Sequence, residues 1–502
     1  MKPANPLTHL PFMALAALTL LAAMWAGLIR IGWEFPPLRE NWIANHGPLM
    51  ISGFLGTVIS LERAVALAAM LKARWPYAAP LFAGLGSVVI LVGLPTPYLS
   101  GLVGRGLITF GSLGMVLIFV TINRIRLDWP HAIMGLGALL WLAGDVLWWL
   151  YQPVNHVVPW WVGFLVLTIA GERLELARVL LLRRSALVTF LISVGIFLVG
   201  LVISGFAAGI GVRVGGAGLI ALGLWLLRYD LARRTIRQKG LTRFIAACLL
   251  PGYAWLVFAG ALWLWWADRF TAGPLYDAML HSLLLGYVFS MIFGHAPIIL
   301  PAVMGVAMNY SPTFYAHLAL LHTSLILRVT GDLAFADPFN PVRRWGGMLN
   351  VIAILVFLAN TVHVAYRLVE GKGALRLKLR PSVHFRPHEG PVSGPTEGDY
   401  RLADGAQDEA RVQQPECRPA QSFAPARALL RVLREHPEHH AEDQLRDPAD
   451  HEQMEVHRLQ RGDLGGQFQH EAQHQRDARE QRGDEIDEGG FDEPARESRH
   501  GQ

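Results

Sequence analysis

Cysteine is nearly absent from this chain. Two occur in 502 residues, Cys248 in an apolar stretch and Cys417 in the polar C-terminal region. That excludes a disulfide framework and a thiolate-held cluster. Charge is sparse too: Asp, Glu, Lys and Arg make up 17% of the chain, against about 25% in an ordinary soluble protein. Much of that charge follows residue 381, whereas no Trp follows Trp345 although the chain holds 16. The Gly-rich run from Gly205 to Gly223 has no Gly-Lys-Ser/Thr and follows no strand, so it is not a phosphate loop. No small-residue cleavage site ends the first apolar run, which is therefore expected to stay as a span.

What remains is apolar. The chain is 53% hydrophobic with a mean hydropathy of +0.34, and about 20 apolar helical residues cross a bilayer. Windows of that length fall near 10–30, 46–70, 77–95, 103–123, 129–151, 157–181, 186–208, 213–229, 243–266, 275–302, 312–333 and 345–368. The expectation is an all-α integral membrane protein of about twelve transmembrane helices. Residues 1–380 form the membrane domain. Residues 381–502 lack apolar periodicity and cannot bury a core. They read as a disordered cytoplasmic tail, with weak metal binding by its His-rich tracts or a mistranslated frame as alternatives. Loop Lys and Arg number sixteen on the N-terminal side and seven on the other, which places both termini in the cytoplasm. The same bias accounts for the net charge of +5 without nucleic acid; membrane lipid is the expected surrounding.

The chain also repeats itself. Gly53-Phe54-Leu55, Ile59 and Glu62-Arg63 match Gly163-Phe164-Leu165, Ile169 and Glu172-Arg173, and Gly286-Tyr287-Val288, Ile292 and His295 fall in the same frame. The matches lie in the second, sixth and tenth spans. They predict three four-helix repeats, parallel because each holds an even number of helices, around a pseudo-threefold axis.

Ionisable groups inside such spans mark function by default. His46 and His281 open helices of equal direction near the outer leaflet, where two imidazoles at one depth suit a six-coordinate haem iron. Otherwise His46 is an interfacial cap before Pro48 and His281 a hydrogen-bonded intramembrane histidine. His156 is a third outer candidate by its offset from Gly163. Arg343 and Arg344 offer cations for haem propionates, or for lipid headgroups. Deeper, Glu62, Arg63, Glu172, Arg173 and His295 share a level that His317 and His363 can join. These residue types suit a proton route or a second metal site, with His295 and His317 as ligands, or a charge network locking the repeats together. His317 and His322 diverge around their helix and make a poor chelating pair. Asp145 and Asp277 are buried-carboxylate candidates without an assigned role.

The run His46-Gly47-Pro48-Leu49-Met50 followed by Gly53-Phe54-Leu55, with Leu10-Pro11-Phe12 opening the first span, resembles the NnrS family of haem-containing membrane proteins. That family is linked to nitric-oxide stress and denitrification. Over residues 8–370 the topology is distantly similar to haem–copper oxidase subunit I, and Arg343-Arg344 resembles the oxidase loop that holds propionates. The resemblance implies haem b, an electron-donor protein or quinol, nitric oxide as a ligand, and the bacterial inner membrane. The chain departs from the oxidases in one respect: no His lies inside the sixth or seventh span, so the binuclear centre is missing and copper has no support. Two readings follow. One is a b-type haem protein with a redox or nitric-oxide-handling role. The other is a proton- or ion-coupled transporter or channel without haem, its path lined by Glu62, Glu172 and His295.

Overall fold

A computed structural model describes residues 8–36, 39–180, 182–304, 310–335 and 337–378. The tail from 381 onward, read above as polar and disordered, lies outside them. The described residues are helical, in the order α1 (Leu10–Arg30), α2 (His46–Leu71), α3 (Trp75–Val92), α4 (Pro97–Ile125), α5 (Trp129–Trp149), α6 (Val154–Ala177), α7 (Arg184–Ser204), α8 (Ala208–Tyr229), α9 (Gly240–Trp265), α10 (Pro274–Met304), α11 (Phe314–Ala334) and α12 (Pro341–Lys378). Eleven are long and apolar enough to cross a membrane. α11 has the length, at 21 residues, but His317, His322, Arg328 and Asp332 lower its hydropathy.

Local chemistry sets the boundaries. Thr96 caps α4 by accepting from the Leu99 N–H at 3.2 Å, and Pro97 takes the first position, where no N–H is needed. Asp128 caps α5 through the His131 N–H and also receives the Arg178 guanidinium at 3.1 Å, tying the α4–α5 turn to the end of α6. Gly273, at φ +92°, makes the turn before Pro274 opens α10. The Gly-rich run is explained by packing. A Cβ on Gly200 would lie 2.2 Å from the Gly215 nitrogen, and one on Gly211 2.1 Å from that of Ser204. α7 and α8 therefore touch backbone to backbone, as small residues allow.

Consecutive helices pack against one another, and α12 returns to α1. The core is rich in Trp, with Trp141, Trp148, Trp161 and Trp263 fully buried. α6 and α10 are the most enclosed helices. Within the α-helical bundle, α2 and α10 each widen into a π-helical stretch, Leu49–Leu55 and Ser282–Phe289. Each stretch begins just after a histidine, where such widening often accompanies function. The one in α2 is pinned from α5. Ser52 donates to an Asp145 carboxylate oxygen at 2.8 Å, the Trp161 indole donates to the same oxygen at 2.8 Å, and the Trp141 indole donates to the Ser52 hydroxyl at 3.0 Å.

Asp145→Ala should therefore strand two buried donors, at about 1–3 kcal/mol each, and lower the thermal unfolding temperature in detergent clearly more than Asp145→Asn. Equal unfolding temperatures for both variants and the native protein would show that this network does not hold α2 to α5.

Candidate functional site

His46 is the first residue of α2, and its ring lies against α1. Its Nδ1 donates to the Ala23 carbonyl at 2.7 Å. The ring fits because residue 27 is glycine: a Cβ there would meet His46 Cε1 at 2.7 Å and Nδ1 at 2.9 Å. His281 lies two turns into α10. Its Nδ1 donates to the Asp277 carbonyl at 3.0 Å and lies 3.3 Å from the Asp277 carboxylate. With both Nδ1 atoms so engaged, each Nε2 carries the lone pair and makes no protein hydrogen bond among the described residues. The two ring centres are 6.4 Å apart with planes 19° from parallel.

Both histidines line a cavity of about 520 Å³, within the roughly 300–1,000 Å³ usual for small-molecule and cofactor sites. Its walls are mostly apolar, including Met24, Met50, Leu284 and Phe289, and its charged groups are Arg30, Arg328, Arg343 and Asp277. Asp277 receives both Arg328 nitrogens at 2.8 and 3.0 Å and lies 3.2 Å from Arg343, which in turn lies 2.6 Å from Asp332. Two guanidinium groups thus balance two carboxylates, the condition for keeping such charges inside a bundle.

The dimensions suit a metal held between the two rings. Imidazole–metal bonds are about 2 Å, the zinc value. Two such bonds plus the distance from each nitrogen to its ring centre match the 6.4 Å between ring centres in length, the arrangement required being Nε2 facing Nε2. His46 and His281 would hold a haem iron, the apolar walls would enclose the ring, and Arg30, Arg328 and Arg343 would be the cations near its carboxylates. The Asp277 carboxylate beside His281 Nδ1 is the kind of outer partner that orients a ligating imidazole.

The other expected residues are distributed differently. Arg344 does not line the cavity: it lies 5.0 Å over the Trp33 ring, and its carbonyl accepts from the Trp33 indole. Neighbouring residues on a helix point about 100° apart, and here Arg343 turns to the cavity while Arg344 turns to Trp33. His156 is exposed at the start of α6, where Val154, Asn155 and Val158 reach the cavity instead. His317 packs edge-on against Phe293 at 4.8 Å, with its Nδ1 3.2 Å from the Asn360 amide nitrogen. His322 accepts from the Trp255 indole at 3.1 Å, and His363 is exposed. His295 lines a second, smaller pocket with Glu62, Arg63, Glu172 and Arg173. The four histidines considered as metal ligands thus fall at three separate places. Among the described residues no three His, Cys, Asp or Glu side chains come together to hold an ion.

Gly27, Arg30, Arg328 and the part played by Asp277 went unread in the sequence. Two carried a signal: Asp277 lies one helical turn before His281, on the same face, and Arg328 is an arginine inside an apolar span. Gly27 carried none, because its role depends on a ring from another helix.

Gly27 yields a direct test. In a helix interior Gly→Ala ordinarily gains about 1 kcal/mol from propensity. Here the collision with His46 should reverse the sign, and Gly27→Val should destabilise by about 1–3 kcal/mol, read as a lower unfolding temperature. A Val variant as stable as the native protein would show that the ring is not held in place.

No curated protein and no solved structure matches the chain. Residues 9–366, a stretch that includes both cavity histidines, match the family described as Domain of unknown function (DUF8744), and the chain belongs to that family.

Proposed function

We propose that the protein is a multi-pass membrane protein that holds one b-type haem between His46 and His281. The observation carrying this reading is the pair of imidazole rings 6.4 Å apart in a cavity of about 520 Å³, each with Nδ1 bonded to a carbonyl. Arg30, Arg328 and Arg343 are the cations within reach of a haem's carboxylates, and Asp277 holds the His281 ring in its ligating tautomer. Held there, a haem would supply one-electron chemistry, with an electron-donor protein or quinol as partner and nitric oxide as the ligand. That role agrees with the resemblance to the NnrS family. Copper forms no part of the proposal.

The same reading includes twelve spans in three four-helix repeats. Supporting it, α11 carries its polar groups inward: His317, Arg328 and Asp332 are all buried. α2, α6 and α10 run parallel, since each contributes to the large cavity with its first part and to the small pocket with its later part. With an even number of spans both termini share one side, and the Lys and Arg excess assigns that side to the cytoplasm of a bacterial inner membrane.

Absorption spectra of the purified protein test the ligands. The native protein should show a reducible low-spin haem spectrum. His46→Ala and His281→Ala should lose the haem or turn high-spin, while His322→Ala should leave the spectrum unchanged. Retention of the native spectrum by both cavity variants would refute the assignment.

A further inference from the structure

The small pocket lies at the other end of the helices that form the cavity. Along α10, His295 is about 21 Å beyond His281 at about 1.5 Å per residue. From α2, Arg63 pairs with Glu172 of α6 and lies 3.8 Å from Glu62. From α6, Arg173 lies 3.7 Å from Asp230, in the turn after α8. Glu175 and His295 complete the wall of a space of about 50 Å³, room for a few waters at about 10–15 Å³ each. The buried hydroxyls of Tyr253 on α9 and Tyr287 on α10 stand beside Arg173.

The charge here does not balance. Four carboxylates, Glu62, Glu172, Glu175 and Asp230, face two guanidinium groups. Fully ionised, the cluster would hold net negative charge within the bundle, which is unfavourable. Its hydrogen bonding is also incomplete. Arg63 and Arg173 are 4% and 3% exposed, yet neither Nε–H makes a hydrogen bond; the Arg173 Nε has the Asp230 carboxylate at 3.7 Å, beyond hydrogen-bond reach. His295 Nδ1 donates to the Met291 carbonyl at 2.6 Å, which leaves a buried Nε2 acceptor without a donor. Two donors and one acceptor around a water-sized space are the terms on which internal water is held. Glu62 and Glu172, at 14% and 19% side-chain exposure, give that water a way out.

We infer that this pocket is a proton-exchange site, in which Glu62, Glu172 and His295 share a proton taken up from the adjacent aqueous phase through internal water. The proton leaves a water molecule, bonds to a carboxylate oxygen or to Nε2, and returns by the same route, so no other reactant is required. A proton suits the site better than an alkali cation. It adds charge at an oxygen or nitrogen already present, whereas a metal ion needs about six oxygens beside two fixed guanidinium groups. The inference is independent of the haem, and its test reads carboxyl groups rather than a haem spectrum.

The experiment is an infrared pH titration of the full chain in lipid nanodiscs, first without sodium. A protonated-carboxyl band should grow as the pH falls, and Glu62→Gln or Glu172→Gln should remove or shift it. His295→Gln keeps every carboxylate and both arginines. It should move the midpoint by about one pH unit or more, and it carries the test if a Glu variant does not fold. A native protein with no carboxyl band titrating above the range of exposed Asp and Glu, about pH 4, would overturn the inference, and so would such a band unchanged in every variant that folds. Loss of the band on adding sodium at constant pH would also overturn it, in favour of an alkali-cation site.

Discussion

Two imidazole rings come within 6.4 Å of each other only because α2 and α10 run in the same direction and each places its histidine near its start. Lipid cannot satisfy a polar side chain, so each histidine needs a partner from the bundle. α1 supplies one through the Ala23 carbonyl and the space left by Gly27. α10 supplies the other through Asp277, which is held by Arg328 of α11 and Arg343 of α12. The cavity is thus closed by helices from both ends of the chain, and α12 packing on α1 is what completes it.

The two polar regions on these helices obey the same constraint with different outcomes. Around the histidine pair, Arg328 and Arg343 meet Asp277 and Asp332, and Arg30 is a third cation on the wall. At the other end Arg63 joins α2 to α6 and Arg173 joins α6 to the turn after α8, yet carboxylates outnumber guanidinium groups. The first arrangement is a fixed wall for a ligand. The second is a network whose charge changes when a proton enters, and its ion pairs also tie α2 to α6 and α6 to the turn after α8.

The sequence made the helical membrane architecture legible, because apolar length is a local quantity. It also pointed to the histidine pair, and the matched motifs put Glu62, Glu172 and His295, which line one pocket, in one frame. Contacts between distant residues stayed hidden. The space at Gly27, the Trp33 seat of Arg344 and the Phe293 contact of His317 each depend on a side chain from another segment. The π-helical stretches leave no trace in hydropathy, because a wider turn requires no change in composition. The Gly-rich run was readable as helix but not as the α7–α8 contact that it provides.

The central claim is that His46 and His281 together hold one haem iron. Electron paramagnetic resonance of the oxidised, purified protein, combined with a haem-to-protein ratio, tests it most directly. The account predicts one haem per chain with a low-spin ferric signal from two imidazole ligands. Protein purified free of haem and iron from haem-replete cells, or a haem signal lacking nitrogen ligation on both faces, would contradict it.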